Sequence, residues 1–217
     1  MADLACLREV VRSGASTEAI LDMVESFSAE PASSRLQRLG EQVRSVAQRL
    51  GKTVDVKTDA SERLRVPAGL RAFWPAAIHL LRNAVDHGIE DGALRVGKNK
   101  DPVGRVTISA ARRGDTFVLN VEDDGAGINW EALRKKATEL GLPHRTEDDL
   151  VEALFADGVT TRDEATDVSG RGVGMAAVRA AVDEQHGRIE VRSVKGAGTR
   201  FTVTFPIASS VEVVAHA

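Results

Sequence analysis

"HLLRNAVDHG", residues 79–88, is the stretch whose reading decides the fold. A helix is expected from Pro67, which suits a first helical position, to about Gly88. Along it Ile78, Leu81, Ala84 and Val85 make a stripe that can face a sheet, while His79, Asn83 and His87 recur at i, i+4 and i+8 along another edge. A solvated amphipathic helix would account for that edge. Asn and His are also neutral, directional groups able to meet a divalent ion or a phosphate oxygen, where Lys or Glu would stay hydrated.

Outward from this helix the period changes. Between Arg105 and Asp123, Val106, Ile108 and Ala110 face one way, "RRGD" turns, and Phe117, Leu119 and Val121 return on a matching face, which predicts a half-buried hairpin. A second hairpin, "GRIEVRS" and "TRFTVTFPI" around "VKGAG", closes the sheet, with helices expected at 130–140, 147–155 and 173–186. Upstream, helical patterns cover 2–13, 17–28 and Ser34–Leu50, and Val54 and Val56 suggest a short strand. Strands grouped in hairpins with helices between the groups predict an α+β fold. The expected form is a two-layer sandwich whose mostly antiparallel mixed sheet carries helices on one face. "EPASS" at 30–34 divides a helical appendage or dimerisation remnant, 1–33, from the main unit, 34–208, and 209–217 form a tail.

Four glycine-bearing segments follow the helix. In "VEDDGAGI" a strand ends in two carboxylates and a turn. Asp123 at a strand end can accept from an exocyclic amine, and Gly125 and Gly127 let the backbone approach a planar ring; an acidic strand end before a turn is the plain alternative. "DVSGRGVGM" places Gly170, Gly172 and Gly174 at alternate positions opening into a helix, where bare N–H groups suit phosphate oxygens, or simply a loop before a helix start. The G-x-G-x-G spacing is not the dinucleotide fingerprint, and no Walker A sequence occurs. "VKGAGTRF" reads alone as a hairpin loop, and "LFADGVTT" completes the set.

Composition narrows the function. The 217 residues are 42% apolar and 28% charged, with a net charge of -3, so a nucleic-acid partner is not expected and phosphate binding has to be local. The single cysteine, Cys6, excludes an internal disulfide framework and favours a cytoplasmic setting. No apolar run approaches the ~18 residues that span a bilayer, and "MADLACLREV" lacks the pattern of a signal peptide, so direct membrane insertion is not expected.

In order, "HLLRNAVDHG", "EDDGAGI", "FADGVTT", "SGRGVGM" and "KGAGT" resemble the N, G1, F, G2 and G3 boxes of the GHKL (Bergerat-fold) ATPases, over roughly residues 35–207. "RNAVDHGIE" and "TDVSGRGVGM" are closer still to the ATP-binding domain of chemotaxis-type, CheA-like histidine kinases, with His rather than Glu four residues before the Asn. The resemblance implies ATP and Mg²⁺ as cofactors. It implies that Asn83 holds the metal, with His87 beside it, that Asp123 takes the adenine amine, and that Gly125 and Gly127 make room for the ring. It further implies that the segment from about Gly158 to Arg171 forms a lid, that Gly170, Gly172 and Gly174 lie along the phosphates, and that Thr199 lies near the adenine end. His79 matches the position of the general base. Arg82, Lys135 and Lys136 are candidate phosphate contacts or equally a solvated surface.

None of the five histidines precedes His79. The implied phosphoacceptor histidine is therefore on another polypeptide or in a segment absent from this chain, with a response regulator downstream and a homodimer compatible. A nucleotide-gated docking module without kinase activity, and an ATPase or serine kinase of the anti-sigma type, are the alternatives.

Overall fold

The structure, a computed structural model, describes residues 2–17, 20, 24, 29–159 and 173–207. Gly170, Gly172, most of the expected lid, much of the expected 17–28 helix and the 209–217 tail lie outside the described residues. After helix α1 (Ala2–Arg12), α2 (Ala32–Arg49) leads into strand β1 (Val54–Ala60). A single 3₁₀ turn (Ala68–Arg71) precedes α3 (Phe73–Asn83), which ends in a π turn (Ala84–Gly88), and the short α4 (Gly92–Gly97) follows. Then come β2 (Gly104–Arg113), β3 (Thr116–Asp123), α5 (Trp130–Glu139), α6 (Glu147–Leu154), α7 (Val173–Glu184), β4 (Arg188–Val194) and β5 (Gly198–Pro206).

The five strands form one sheet in the order β1-β2-β3-β5-β4. Only β1 and β2 run parallel; the two hairpins and the β3–β5 pairing are antiparallel. This is the expected mixed, mostly antiparallel α+β sandwich. The helix expected from Pro67 is instead divided. Pro67 caps the 3₁₀ turn and α3 starts at Phe73, which puts Pro75 in its first turn, where a missing N–H costs no intrahelical bond.

Alternation sets the layers. On the face covered by α2, α3 and α7, β3 contributes Phe117, Leu119 and Val121, and β5 contributes Phe205, Val203 and Phe201, all buried. Phe73 of α3 packs edge-on against Phe205 with centroids 4.8 Å apart, and Trp74 meets Phe117 at 6.4 Å. Such contacts contribute roughly 0.5–1.5 kcal/mol each beyond area burial and fix α3 over the sheet. Val178 and Val182 of α7 are fully buried in the same layer. Continuing both strand series by one more step places Asp123 and Thr199 on the buried face, directly opposite each other in register. The periodicity that builds the core thus delivers a carboxylate to its end.

Candidate functional site

Asp123 is 4% exposed, and its Oδ1 accepts from the N–H of Gly125 at 2.9 Å. Burial pushes this carboxyl from 3.8 up to about 6. Backbone hydrogen bonds from Gly125 and Thr199 act in the opposite direction, Asp124 raises it further, and Lys100 lowers it. The carboxylate faces the end of the π turn: a Cβ added to Gly88 would lie 2.9 Å from Oδ1. A Cβ on Gly125 would lie 2.0 Å from the Gly88 carbonyl oxygen, so no other residue fits there. These two glycines leave a buried acceptor bounded by main chain, a surface suited to the edge of a planar heterocycle.

The turn at Gly125–Gly127 is tied to the β4–β5 turn. Gly196 N–H donates to Ala126 O at 2.8 Å, and Ile128 N–H donates to Ser193 Oγ at 2.7 Å. Ser193 Oγ also lies 3.0 Å from Thr199 Oγ1, which places Thr199 in the same polar cluster. Two glycine segments more than 65 residues apart therefore form one wall.

His79 and Asn83 lie half-buried on consecutive turns of α3. A Cβ on Gly174 would lie 3.0 Å from His79 Nδ1, so the start of α7 backs directly onto that ring. Burial, and then the neighbouring Arg82 charge, hold the His79 pKa below its usual value. The imidazole is therefore neutral near pH 7 and able to accept a proton. Straight helical spacing does not continue to His87: the π turn inserts its wider loop at 84–88, and His87 emerges exposed while Asp86 is buried. Of the expected apolar stripe, Leu81, Ala84 and Val85 are buried and Ile78 is half-buried. Lys136 pairs with Glu139 on the exposed side of α5.

Residues that sequence reasoning missed hold these parts in place. Arg95, 1% exposed, donates to Asp101 O at 2.6 Å and to Asp124 Oδ2 at 2.9 Å, and pairs with Glu90 at 3.3 Å. Lys100 donates to Gly125 O at 2.7 Å and also pairs with Glu90. Burial alone would raise the Glu90 pKa, yet hydrogen bonds from Lys98 and Lys100 bring it below the usual carboxylate value. Lys52 donates to three carbonyls of the π-turn region, Val85 at 2.8 Å and Asp86 and Ile89 at 2.7 Å. Asp124, the second carboxylate of "EDDG", fastens the turn through Arg95 and the Arg105 N–H.

A helix-backed sheet with a buried carboxylate, an adjoining glycine wall and a polar helix edge defines a class of nucleotide-binding sandwich. The model of the histidine kinase-, DNA gyrase B- and HSP90-like ATPase family matches residues 75–209, and this chain belongs to that family. The chemotaxis protein CheA of Halobacterium salinarum is 39% identical over 197 residues, 88% of this chain and 30% of that protein. The Rhizobium meliloti chemotaxis protein CheA is 34% identical over 199 residues, 90% of this chain and 26% of that one. The chain thus spans less than a third of these relatives. Among solved structures, the histidine kinase domain of the Erythrobacter litoralis EL346 blue-light-activated histidine kinase superposes with a TM-score of 0.50 at 19% identity. The superposition covers 88% of this chain and 71% of that one, and it shows the shared fold. Among the described residues no helix is long and apolar enough to cross a membrane.

Proposed function

We propose that this chain is the ATP-binding catalytic unit of a chemotaxis-type histidine kinase, which transfers the γ-phosphate to a histidine presented by another polypeptide or domain. The observation that supports the reading is the buried Asp123 carboxylate, bounded by Gly88 and Gly125 at the end of the π turn that follows Asn83. In this reading Asp123 accepts from the adenine amine, Gly125 and Gly127 admit the ring, and Thr199 steadies the adenine end. Gly170, Gly172 and Gly174 line the phosphates.

The donors present fit Mg²⁺ shared with phosphate rather than a protein cage. Among the described residues no group of three or more His, Cys, Asp or Glu could hold an ion, and in this reading Asn83 is the residue that would hold Mg²⁺ together with substrate phosphates. Bound there, the metal would neutralise phosphate charge. His87 adds a polar contact at the exposed side of the π turn. His79, neutral near pH 7, takes the proton from the attacking acceptor imidazole as the N–P bond forms and the bond to the leaving ADP oxygen breaks.

Residues 34–208 make the catalytic unit in this reading. Residues 1–33 are an appendage or dimerisation remnant, the setting is cytoplasmic, and a response regulator receives the phosphoryl group from the acceptor.

Calorimetric titration with a non-hydrolysable ATP analogue, with and without Mg²⁺, tests the site. Binding that Asp123→Ala abolishes, and whose metal-dependent part Asn83→Ala removes, is expected. Transfer of labelled phosphate to a separate histidine-bearing acceptor domain then tests the activity. Metal-dependent binding with no transfer to any histidine acceptor would reject the kinase reading.

A further inference from the structure

A helix that offers Asn83 and the following π turn toward polyphosphate does so with its C-terminal end, where free carbonyls concentrate partial negative charge. That is electrostatically the wrong end for an anion. The π turn aggravates the problem. Ile89 N–H reaches back to Ala84 O at 2.8 Å, the wide bond of a π turn, which leaves the Val85 and Asp86 carbonyls beyond the last regular helical bond.

One side chain answers this arrangement. Lys52 places its ammonium against Val85 O, Asp86 O and Ile89 O at 2.7–2.8 Å, three short charge-assisted hydrogen bonds from a group that has three donors. Its own backbone is fixed by local geometry. Gly51, at φ +68, ends the turn after α2, and Lys52 N–H returns to Ala47 O at 2.9 Å. Thr53 O then accepts from Gly104 N–H at 3.0 Å, locking the same corner to the start of β2.

The three carbonyls bracket Gly88, where an added Cβ would lie 2.9 Å from Asp123 Oδ1 and whose carbonyl accepts from Ala126 N–H at 2.8 Å. One ammonium therefore sits between the phosphate-facing helix end and the wall of the base pocket. We infer that Lys52 is a positioning residue of the nucleotide site: the π turn is a three-carbonyl cation site whose resident cation is the Lys52 ammonium, and its occupancy sets the nucleotide affinity. Lys52 acts through main chain and touches no reacting atom.

This inference rests on the nucleotide reading above, and the test separates the two. The full chain is compared as wild type, Lys52→Ala, which empties the cation position, and Lys52→Met, which keeps the apolar stem and fills it. Calorimetry with a non-hydrolysable ATP analogue and Mg²⁺ is expected to show a loss of affinity of about tenfold or more in both variants. Ammonium or n-propylammonium chloride restores Lys52→Ala, tetramethylammonium at equal ionic strength does not, and Lys52→Met is not restored by any of the three. In nucleotide-free protein, amide exchange across residues 84–90 rises about tenfold or more in both variants, with the sheet unchanged. Lost packing of the lysine stem would not respond to ammonium. Unchanged affinity and exchange in Lys52→Met overturns the inference, as does a loss in Lys52→Ala that neither ammonium salt relieves. If Lys52→Ala does not fold, Lys52→Met alone decides. If the wild type binds no nucleotide, the functional reading fails and the exchange experiment still judges the clamp.

Discussion

At the Asp123 end of the site the carboxylate is positioned by main chain, through the Gly125 N–H, the Gly88 backbone and the register with Thr199. At the Asn83 end the groups ride on a helix terminus that the side chain of Lys52 holds. The first end is rigid and intolerant of added atoms. The second depends on balancing charge at carbonyls that the helix leaves over. In the proposed site a nucleotide spanning both would meet a fixed acceptor at one side and an electrostatically tuned surface at the other.

The largest effect is expected at the fixed end. Asp123→Asn puts an N–H₂ or a weaker acceptor where the proposed site has a carboxylate for the adenine amine, and affinity for an ATP analogue should fall at least about 100-fold. The same substitution should stabilise the free protein. The Asp123 pKa is raised from 3.8 to about 6, so its favourable contribution is complete below about pH 4 and lost as pH rises through 6. At pH 8 the ionised, buried carboxylate then costs on the order of 2–3 kcal/mol, which Asp123→Asn removes. Urea unfolding at pH 8 and pH 4 checks this: the variant should gain at the higher pH and show little difference at the lower. A variant less stable than wild type at pH 8 would mean that the hydrogen bonds from Gly125 and Thr199 outweigh desolvation.

Next in size is Arg95→Met. Arg95 is fully buried between Glu90 and Asp124, and its removal strands Glu90 in a largely buried position while releasing the turn that carries Gly125. A loss of about 3 kcal/mol is expected, because removing one partner of a buried pair leaves the other's charge uncompensated. A shift below about 1 kcal/mol in urea would show that Lys98 and Lys100 satisfy Glu90 by themselves, and the rigidity of the fixed end would need another source.

The same contrast explains what the sequence made legible. Alternation announced both hairpins, and extending Phe117, Leu119 and Val121 by two residues reaches Asp123, whereas Thr199 was reached only through the family resemblance and is set opposite Asp123 by the β3–β5 register. The His79–Asn83 spacing was equally visible. The π turn was not, because no residue type in "AVDHG" marks it, and a straight helix over these residues wrongly carried His87 along the same stripe. Lys52, Arg95 and Lys100 sit in segments without periodicity, and their partners are mostly backbone atoms, which leave no trace in residue identity. The Lys52 acceptors lie 33–37 residues away, a relation that only the fold creates. The division of the expected long helix at Phe73 was signalled by Pro75, whose place in a first turn makes a helix start just ahead of it the cheaper choice.

The smallest effect should come from Arg200→Ala, one register step from the site. Arg200 lies opposite Glu122, next to the Asp123–Thr199 pair, and its Nε donates to Glu122 Oε2 at 2.9 Å. Sequence proximity would make this pair a candidate for the site. Alternation sends both side chains to the solvent face, where they are 50% and 45% exposed. Screened by water and salt, the pair should contribute less than about 1 kcal/mol, and a rise in ionic strength should shrink that further. Nucleotide affinity should stay within about twofold, since the face rather than the distance along the chain determines what a strand residue can touch. Calorimetry on Arg200→Ala beside Asp123→Asn makes the comparison direct. A tenfold loss in the first would mean that the two faces of β3 are coupled, and that the fixed end draws its rigidity from the exposed side of the sheet as well as from the buried one.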